Sequence, residues 1–195
     1  MNLKNRLLLF FKPIQVWLQR RGYIESGFTH EIVNNLMGRI KAGDILLSYE
    51  SGRWTSLFIK GEWDHAAIVD HNLYVVEAVG DLIIGGKNYG GVRKVPLEEW
   101  LWKKNHVAVL RYREPIIALG AAYCSNSFIG KSYDYAFSTE CNETLYCSEL
   151  VYASYFPFEQ EFMKFIPKNK EILPIDYLKE PSLHCVYNSR VWLNP

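Results

Sequence analysis

Three residues of the chain have the types and positions that cysteine-based nucleophilic catalysis requires. His65 opens an apolar run that predicts a β-strand, Glu77 lies in the next predicted strand, and Cys147 opens the run CSELVYASYF, which is typical of a helix. The unpaired N–H groups and the dipole at a helix start lower the pKa of a thiol, and the same N–H groups could bind an oxyanion. With a histidine and a carboxylate elsewhere in the chain, this position predicts a nucleophile rather than a buried structural thiol.

The two strands that carry the histidine and the glutamate are predicted to form a hairpin around the loop 70–72. If Val69 pairs with Leu73, then His65 lies directly opposite Glu77, with Cβ atoms roughly 4.5 to 5.5 Å apart. A carboxylate at that distance could hold the imidazole in one tautomer. The alternative interpretation is a partly exposed ion pair of little energetic value. The cysteine favours the catalytic interpretation.

The remaining cysteines and histidines give no sign of a metal or a cofactor. Four cysteines are too few for a disulfide scaffold in 195 residues, and no C-x-x-C pair indicates a zinc knuckle or a redox dithiol. The five histidines lack ligand pairs at short spacing. Neither the glycine-rich segment 80–87 nor the segment 125–132, which ends in Gly-Lys-Ser, fits a phosphate-binding loop. We therefore expect neither metal nor cofactor. The default expectation for the other three thiols is burial; they are Cys124, Cys141 and Cys185.

The elements that must position these side chains can be read from apolar periodicity and turn residues. Strands are predicted after Gly43 and at Ala66–Val69, Leu73–Val79, Gly91–Val95 and Val107–Tyr112; helices are predicted from Thr29 to Gly38, at Ile116–Phe128 and at Cys147–Phe156. The prolines after residue 159 predict that the tail is mostly loop. Short connections favour antiparallel neighbours. Strands and helices are segregated, which predicts an α+β fold.

The N-terminal segment 1–21 begins with basic residues and contains the apolar run Leu7–Phe11. The run ends at Lys12 and Pro13 without a cleavage site, so it does not form a credible cleavable signal peptide, and it is far too short to span a bilayer. We expect a helix that covers the core. A peripheral membrane contact is the alternative, so the expected location is cytoplasmic or peripheral to a membrane.

The charge balance excludes one large class of partners. Twenty-two Lys and Arg residues against 21 Asp and Glu residues give a formal net charge of +1, so no overall field attracts the chain to a polyanion. Nucleic-acid binding is therefore not expected, and a small-molecule, peptide or acyl-amide substrate is. Nothing in the composition indicates an oligomeric state.

Taken in order, five parts of the sequence carry a resemblance to a known family. They are the segments 43–47, 65–69, 130–135 and 146–151, together with Glu77. The set resembles the circularly permuted papain-like hydrolases, the YaeF/YiiX-like branch of the NlpC-type amidases and peptidases, which are related to the lecithin retinol acyltransferase group. As in that branch, His65 precedes Cys147. The resemblance covers about residues 40 to 157 and implies an antiparallel sheet or small barrel packed against helices.

The resemblance also implies a Cys–His–Glu triad. Cys147 would attack a carbonyl, His65 would take the thiol proton and return it to the leaving group, and Glu77 would orient the imidazole. The oxyanion hole has three competing candidates, none of them preferred: Tyr133, Tyr135 and Tyr146.

The resulting expectation is a cysteine hydrolase that cleaves an amide or peptide bond through a thioester intermediate. Residues 1–40 would form a helical extension, and residues 41–195 would form the hydrolase domain with its C-terminal extension. Acyl transfer or lipid deacylation with the same triad is the first alternative. A noncatalytic groove-binding module is the second.

Overall fold

The computed structural model describes residues 28–49, 63–80, 83–84, 87–88, 90–137, 143–167 and 170–190. The predictions for the N-terminal apolar run and for Cys141 lie outside these residues. Within the described ranges, no helix is long and apolar enough to cross a membrane.

The elements follow one another in a mixed order along the chain. The helices are α1 (His30–Arg39), α2 (Leu97–Leu101), α3 (Pro115–Ser125) and α4 (Cys147–Tyr155), with 3-10 turns at Asn126–Phe128 and Pro174–Lys179. The strands are β1 (Ile45–Tyr49), β2 (His65–Val69), β3 (Tyr74–Val79), β4 (Ile83–Ile84), β5 (Lys87–Asn88), β6 (Gly91–Pro96), β7 (His106–Tyr112), β8 (Ser132–Tyr133), β9 (Thr144–Leu145) and β10 (Leu183–Asn188).

Six of the strands form one antiparallel sheet, in the order β10-β7-β1-β2-β3-β6. Alternate side chains of each strand point to opposite faces, and each face has its own apolar cluster. Helices α3 and α4 contribute to one cluster, and α1 and α2 contribute to the other. The predicted α+β fold, an antiparallel sheet packed against helices, is confirmed.

The first predicted helix begins where its capping residue indicates. The Thr29 hydroxyl accepts a hydrogen bond from the Ile32 N–H, and α1 runs to Arg39, one residue beyond the predicted stop at Gly38. Val33 and Leu36 bury its inner face against the sheet. Helix α1 therefore covers one apolar face of the sheet.

Gly43 fixes the position of two helices relative to the sheet. Its φ of +83° is costly for other residues, and an added Cβ would lie 2.2 Å from the Ala118 carbonyl oxygen of α3. Its own carbonyl accepts a hydrogen bond of 2.5 Å from the Tyr155 hydroxyl, at the C-terminal end of α4. The residue after it, Asp44, accepts two hydrogen bonds from the Arg111 guanidinium. The Gly-Asp motif therefore fastens the helical layer to the sheet.

The prediction of a loop-rich C-terminal tail was wrong in one respect. Residues 183–188 form β10, which pairs with β7 and makes one edge of the sheet. Its side chains are half-buried or exposed, so it lacks the apolar alternation that signals a strand. The short helix α2, which buries Trp100 against the sheet, was also not predicted.

Candidate active site

The β2–β3 hairpin has a different register from the predicted one. Val69 pairs with Val75, which places Glu77 opposite Ala67 rather than opposite His65. Because the difference is two residues, both side chains still point to the same face of the sheet. The physical reason is Asp70, whose carboxylate accepts hydrogen bonds from the N–H groups of residues 72 and 74 and closes a loop over 71–73.

The histidine and the glutamate nevertheless meet. His65 Nε2 lies 2.9 Å from Glu77 Oε2, and both side chains are buried, with 4% and 1% of their surface exposed. A carboxylate only accepts hydrogen bonds, so the proton of this bond resides on Nε2. In the neutral imidazole Nδ1 is then the basic nitrogen. The pair thus fixes which nitrogen of His65 can take a proton.

Two further side chains, which were not predicted, hold the glutamate. Arg93 Nε and Nη2 donate to Glu77 Oε1 at 3.0 and 2.7 Å, and the Trp100 indole N–H donates to Oε2 at 2.9 Å. Burial raises the pKa of Glu77, but the hydrogen bond from His65 and the nearby positive charges outweigh it and hold the pKa well below its usual range. Glu77 is therefore a carboxylate at neutral pH, with donors on both oxygens.

A period-two pattern could have indicated Arg93, because it lies on β6 directly opposite Glu77 in the register. No comparable signal exists for Trp100. It reaches the carboxylate from α2, a helix too short to be recognised by periodicity.

Cys147 opens α4, as predicted, and its side chain is buried. The direction of α4 follows from its other end, where Tyr155 is bonded to Gly43; the Gly43 N–H in turn donates to the Val69 carbonyl, at the end of β2. The helix and strand are of similar length, roughly 12 and 13 Å, and α4 packs along β2. Cys147 therefore lies at the same end of β2 as His65.

The C-terminal segment holds the first turn of α4 in place. The Ile172 N–H donates to the Tyr146 hydroxyl at 2.9 Å, and the Tyr177 hydroxyl donates to the Ser148 carbonyl at 2.6 Å. Tyr146 and Tyr177 are both almost fully buried. Part of the C-terminal extension, whose role the sequence left open, thus supports the residues on either side of Cys147.

The three candidate tyrosines belong to one aromatic row. Tyr133 contacts Tyr135 edge-on at 5.0 Å between ring centroids and Phe137 at 6.3 Å, and Phe137 contacts Tyr146 at 5.3 Å. The Tyr135 ring lies against Gly80, three residues beyond Glu77. The row therefore runs from the end of β3 to the start of α4. The Tyr146 hydroxyl is the partner of Ile172, and burial raises its pKa far above the usual value.

The burial expected for the other cysteines was wrong at the two positions that the structure describes. Cys124 is half-buried at the end of α3, and Cys185 is exposed on the edge strand β10. Partial desolvation raises the pKa of each thiol. Neither thiol is activated at neutral pH.

Residues 39–187 match the family model described as permuted papain-like amidase enzyme, YaeF/YiiX, C92 family. The chain belongs to this family. It is therefore a hydrolase of the papain-like cysteine amidase and peptidase class. A comparison with curated proteins found no match.

Among solved structures, the chain is similar to the crystal structure of YiiX from Escherichia coli O157:H7. The TM-score is 0.59 at 21% sequence identity, over 77% of this chain and 98% of that chain. This likeness shows the permuted papain-like fold. The YiiX structure is titled a metalloprotein. Among the described residues of this chain, no group of three or more His, Cys, Asp or Glu side chains could hold a metal ion.

Proposed function

We propose that this amidase cleaves an amide or peptide bond by a Cys147–His65–Glu77 triad. The observation that carries the proposal is the buried hydrogen bond between His65 and Glu77, which assigns Nδ1 of the imidazole as the base. The start of α4 supplies the second argument, because a thiolate and an oxyanion are both stabilised by the N–H groups there. Glu77 acts as a fixed carboxylate that orients His65 and stabilises its charged form.

The reaction divides into two transfers of an acyl group. His65 Nδ1 takes the thiol proton while Cys147 Sγ bonds to the substrate carbonyl carbon, and the electron pair of the C=O bond moves to oxygen. The intermediate collapses as the C–N bond breaks, and the amine leaves with the proton from His65. Water then attacks the thioester carbonyl and gives its proton to His65. Release of the carboxylic acid returns the proton to the Cys147 sulfur.

The simplest test is the reactivity of Cys147. At pH 6 a small alkylating agent should modify Cys147 faster than Cys124 or Cys185, because the pKa of each of those thiols is raised. His65→Ala should slow the modification of Cys147. Cys185→Ser is the matched control and should leave it unchanged. Equal, slow labelling of all the thiols would contradict the proposal and favour a noncatalytic groove-binding module.

The substrate class requires a direct assay. Wild-type protein and the Cys147→Ala variant should be compared on a panel of fluorogenic acyl amides, peptides and acyl esters, with Cys124→Ala as the control. We expect turnover of at least one amide or peptide that the Cys147→Ala variant lacks. Turnover of esters alone would overturn the amide assignment.

Lipid deacylation or acyl transfer is a second candidate, and one observation favours it. Helix α3 contains no charged residue, and its outer face exposes Ile116, Leu119 and Tyr123, with Ile116 81% exposed. Helices that are apolar on all sides are ordinarily buried. An exposed apolar surface of this kind is typical of a surface that binds a protein partner or a lipid bilayer. Faster ester hydrolysis on phospholipid vesicles than in solution would support this candidate, provided Ile116→Lys reduces the difference.

A further inference from the structure

A second buried carboxyl group lies in the first turn of the helix that Cys147 opens. Glu149 is 1% exposed and accepts a hydrogen bond from the backbone N–H of Tyr146, the residue before the helix. This is one half of a capping box, in which an acid three residues after the cap returns to the cap N–H. The other half is absent, because Tyr146 makes no side-chain capping bond. Glu149 therefore contributes structurally to the start of α4.

The surroundings of Glu149 do not support a negative charge. Its second oxygen, Oε2, has no hydrogen-bond partner among the described residues. Asp134 faces it from the segment after β8, which is fastened beside α4 by the Asp134 N–H to the Leu145 carbonyl. The other titratable groups around this turn are Tyr146, Cys147, Tyr177, whose hydroxyl donates to the Ser148 carbonyl, and Glu171, which acts on Tyr146. None of these groups is positively charged in either protonation state.

We infer that Glu149 is a positioning residue that caps the helix opened by Cys147 as an uncharged acid, so that its own carboxyl group adds no negative charge beside the thiolate and the oxyanion of the reaction. The inference rests on the proposed role of Cys147. A neutral carboxyl group still accepts the Tyr146 N–H bond. An ionised one would oppose both the thiolate and the oxyanion, because like charges in one turn disfavour each other.

The proton on Glu149 is retained through neutral pH. Burial raises the pKa of Glu149, the Tyr146 N–H bond lowers it and the Asp134 charge raises it, so that the resulting pKa is about 8. Ionised Glu149 should therefore lower the activity only as the pH passes about 8. Glutamine reproduces the neutral acid in shape and in hydrogen bonding to Tyr146, so Glu149→Gln should abolish the effect.

The experiment compares kcat/KM of the wild type and the Glu149→Gln variant from pH 6 to pH 9.5, on the best substrate of the panel above. The ratio of variant to wild type should be near one at pH 6.5 and rise on the order of tenfold at pH 9.5, with its midpoint near pH 8. Taking the ratio cancels the titration of His65, which both proteins share. A second variant, Asp134→Asn, should move the midpoint to lower pH, because it removes a charge that raises the pKa of Glu149.

Controls separate the possible failures. Glu114→Gln changes an exposed acid at the cap of α3 and should leave the profile as in the wild type. A flat ratio across the pH range, in active protein of normal melting temperature, would overturn the inference and leave the proposed function standing. Loss of the Cys147 labelling preference in the wild type would instead overturn the proposed function. If Glu149→Gln is inactive at every pH although folded, the neutral cap is also refuted, because the glutamine preserves it.

Discussion

Glu77→Gln is the sharpest perturbation of the site, because it changes one atom and reverses one hydrogen bond. Arg93 donates twice to Oε1, so the amide oxygen of glutamine takes that position. The amide NH2 then replaces Oε2 and faces two donors, His65 Nε2–H and the Trp100 indole N–H. The imidazole can accept from the amide only if its proton moves to Nδ1. That tautomer has no base where the proposed mechanism needs one.

The expected fall in kcat/KM of the Glu77→Gln variant follows from the hydrogen bonds that are lost. The hydrogen bond from His65 to an ionised carboxylate stabilises the productive tautomer by about 1.5 to 3 kcal/mol, and a buried donor facing a donor costs about 1 to 3 kcal/mol more. The productive tautomer should therefore be disfavoured by roughly 2.5 to 6 kcal/mol. Since about 1.4 kcal/mol corresponds to a factor of ten, kcat/KM should fall by roughly 10² to 10⁴.

The assay measures kcat/KM on the best amide substrate together with the ¹⁵N chemical shifts of the His65 ring. Glu99→Gln is the matched control, because that carboxylate is exposed on α2 and paired with Lys103. The wild type should show the Nε2–H tautomer and the Glu77→Gln variant the Nδ1–H tautomer. If the variant keeps kcat/KM within threefold of the wild type, or keeps the Nε2–H tautomer, the assigned role of Glu77 is refuted.

Three other predictions concern stability. Trp100→Phe removes a buried donor to Glu77 and should lower the free energy of unfolding by about 1 to 3 kcal/mol in urea titrations; an unchanged value would show that the bond adds nothing. Gly43→Ala places a Cβ against the Ala118 carbonyl at positive φ and should cost roughly 2 to 5 kcal/mol, so a loss below about 1 kcal/mol would contradict the observed packing. Glu149 has a pKa of 4.5 in the unfolded chain and about 8 when folded. Between these values the folded state binds one more proton, so its contribution makes the free energy of unfolding fall as pH rises, by up to about 1.4 kcal/mol per pH unit. Glu149→Gln should remove that slope in urea titrations from pH 5 to pH 8, and identical slopes would refute the pKa assignment.

The sequence predicted the fold class and the start of α4 because those depend on local signals. Cys147 begins α4 as its apolar pattern indicated, and Thr29 caps α1. The hairpin register was wrong because the loop covers 71–73 rather than 70–72, with Leu73 in the left-handed conformation at a φ of 60°. No propensity favours a leucine there. The Asp70 carboxylate selects the turn through hydrogen bonds that periodicity does not reveal.

The partners of the Glu77 carboxylate show why part of the site was not predicted. Its partner Arg93 belongs to β6 and becomes its neighbour only through sheet pairing. Trp100 joins the same group from a five-residue helix. The two-residue periodicity of β6 could indicate the face on which Arg93 lies but not its partner, and the contact of Trp100 leaves no periodic signal in the sequence. The edge strand β10 was missed for a related reason, since its pairing with β7 rather than its own burial makes it a strand.

Because the C-terminal segment supports α4, the parts of the site should assemble in a fixed order during synthesis. His65, Arg93 and Trp100 are separated from Glu77 by only 12, 16 and 23 residues. The first turn of α4, in contrast, is held by Ile172 and Tyr177, which follow their partners Tyr146 and Ser148 by 26 and 29 positions. During synthesis from the N-terminus, the proposed base can therefore assemble before the proposed nucleophile is positioned. We expect a nascent chain to be inactive until Ile172 and Tyr177 have left the ribosome.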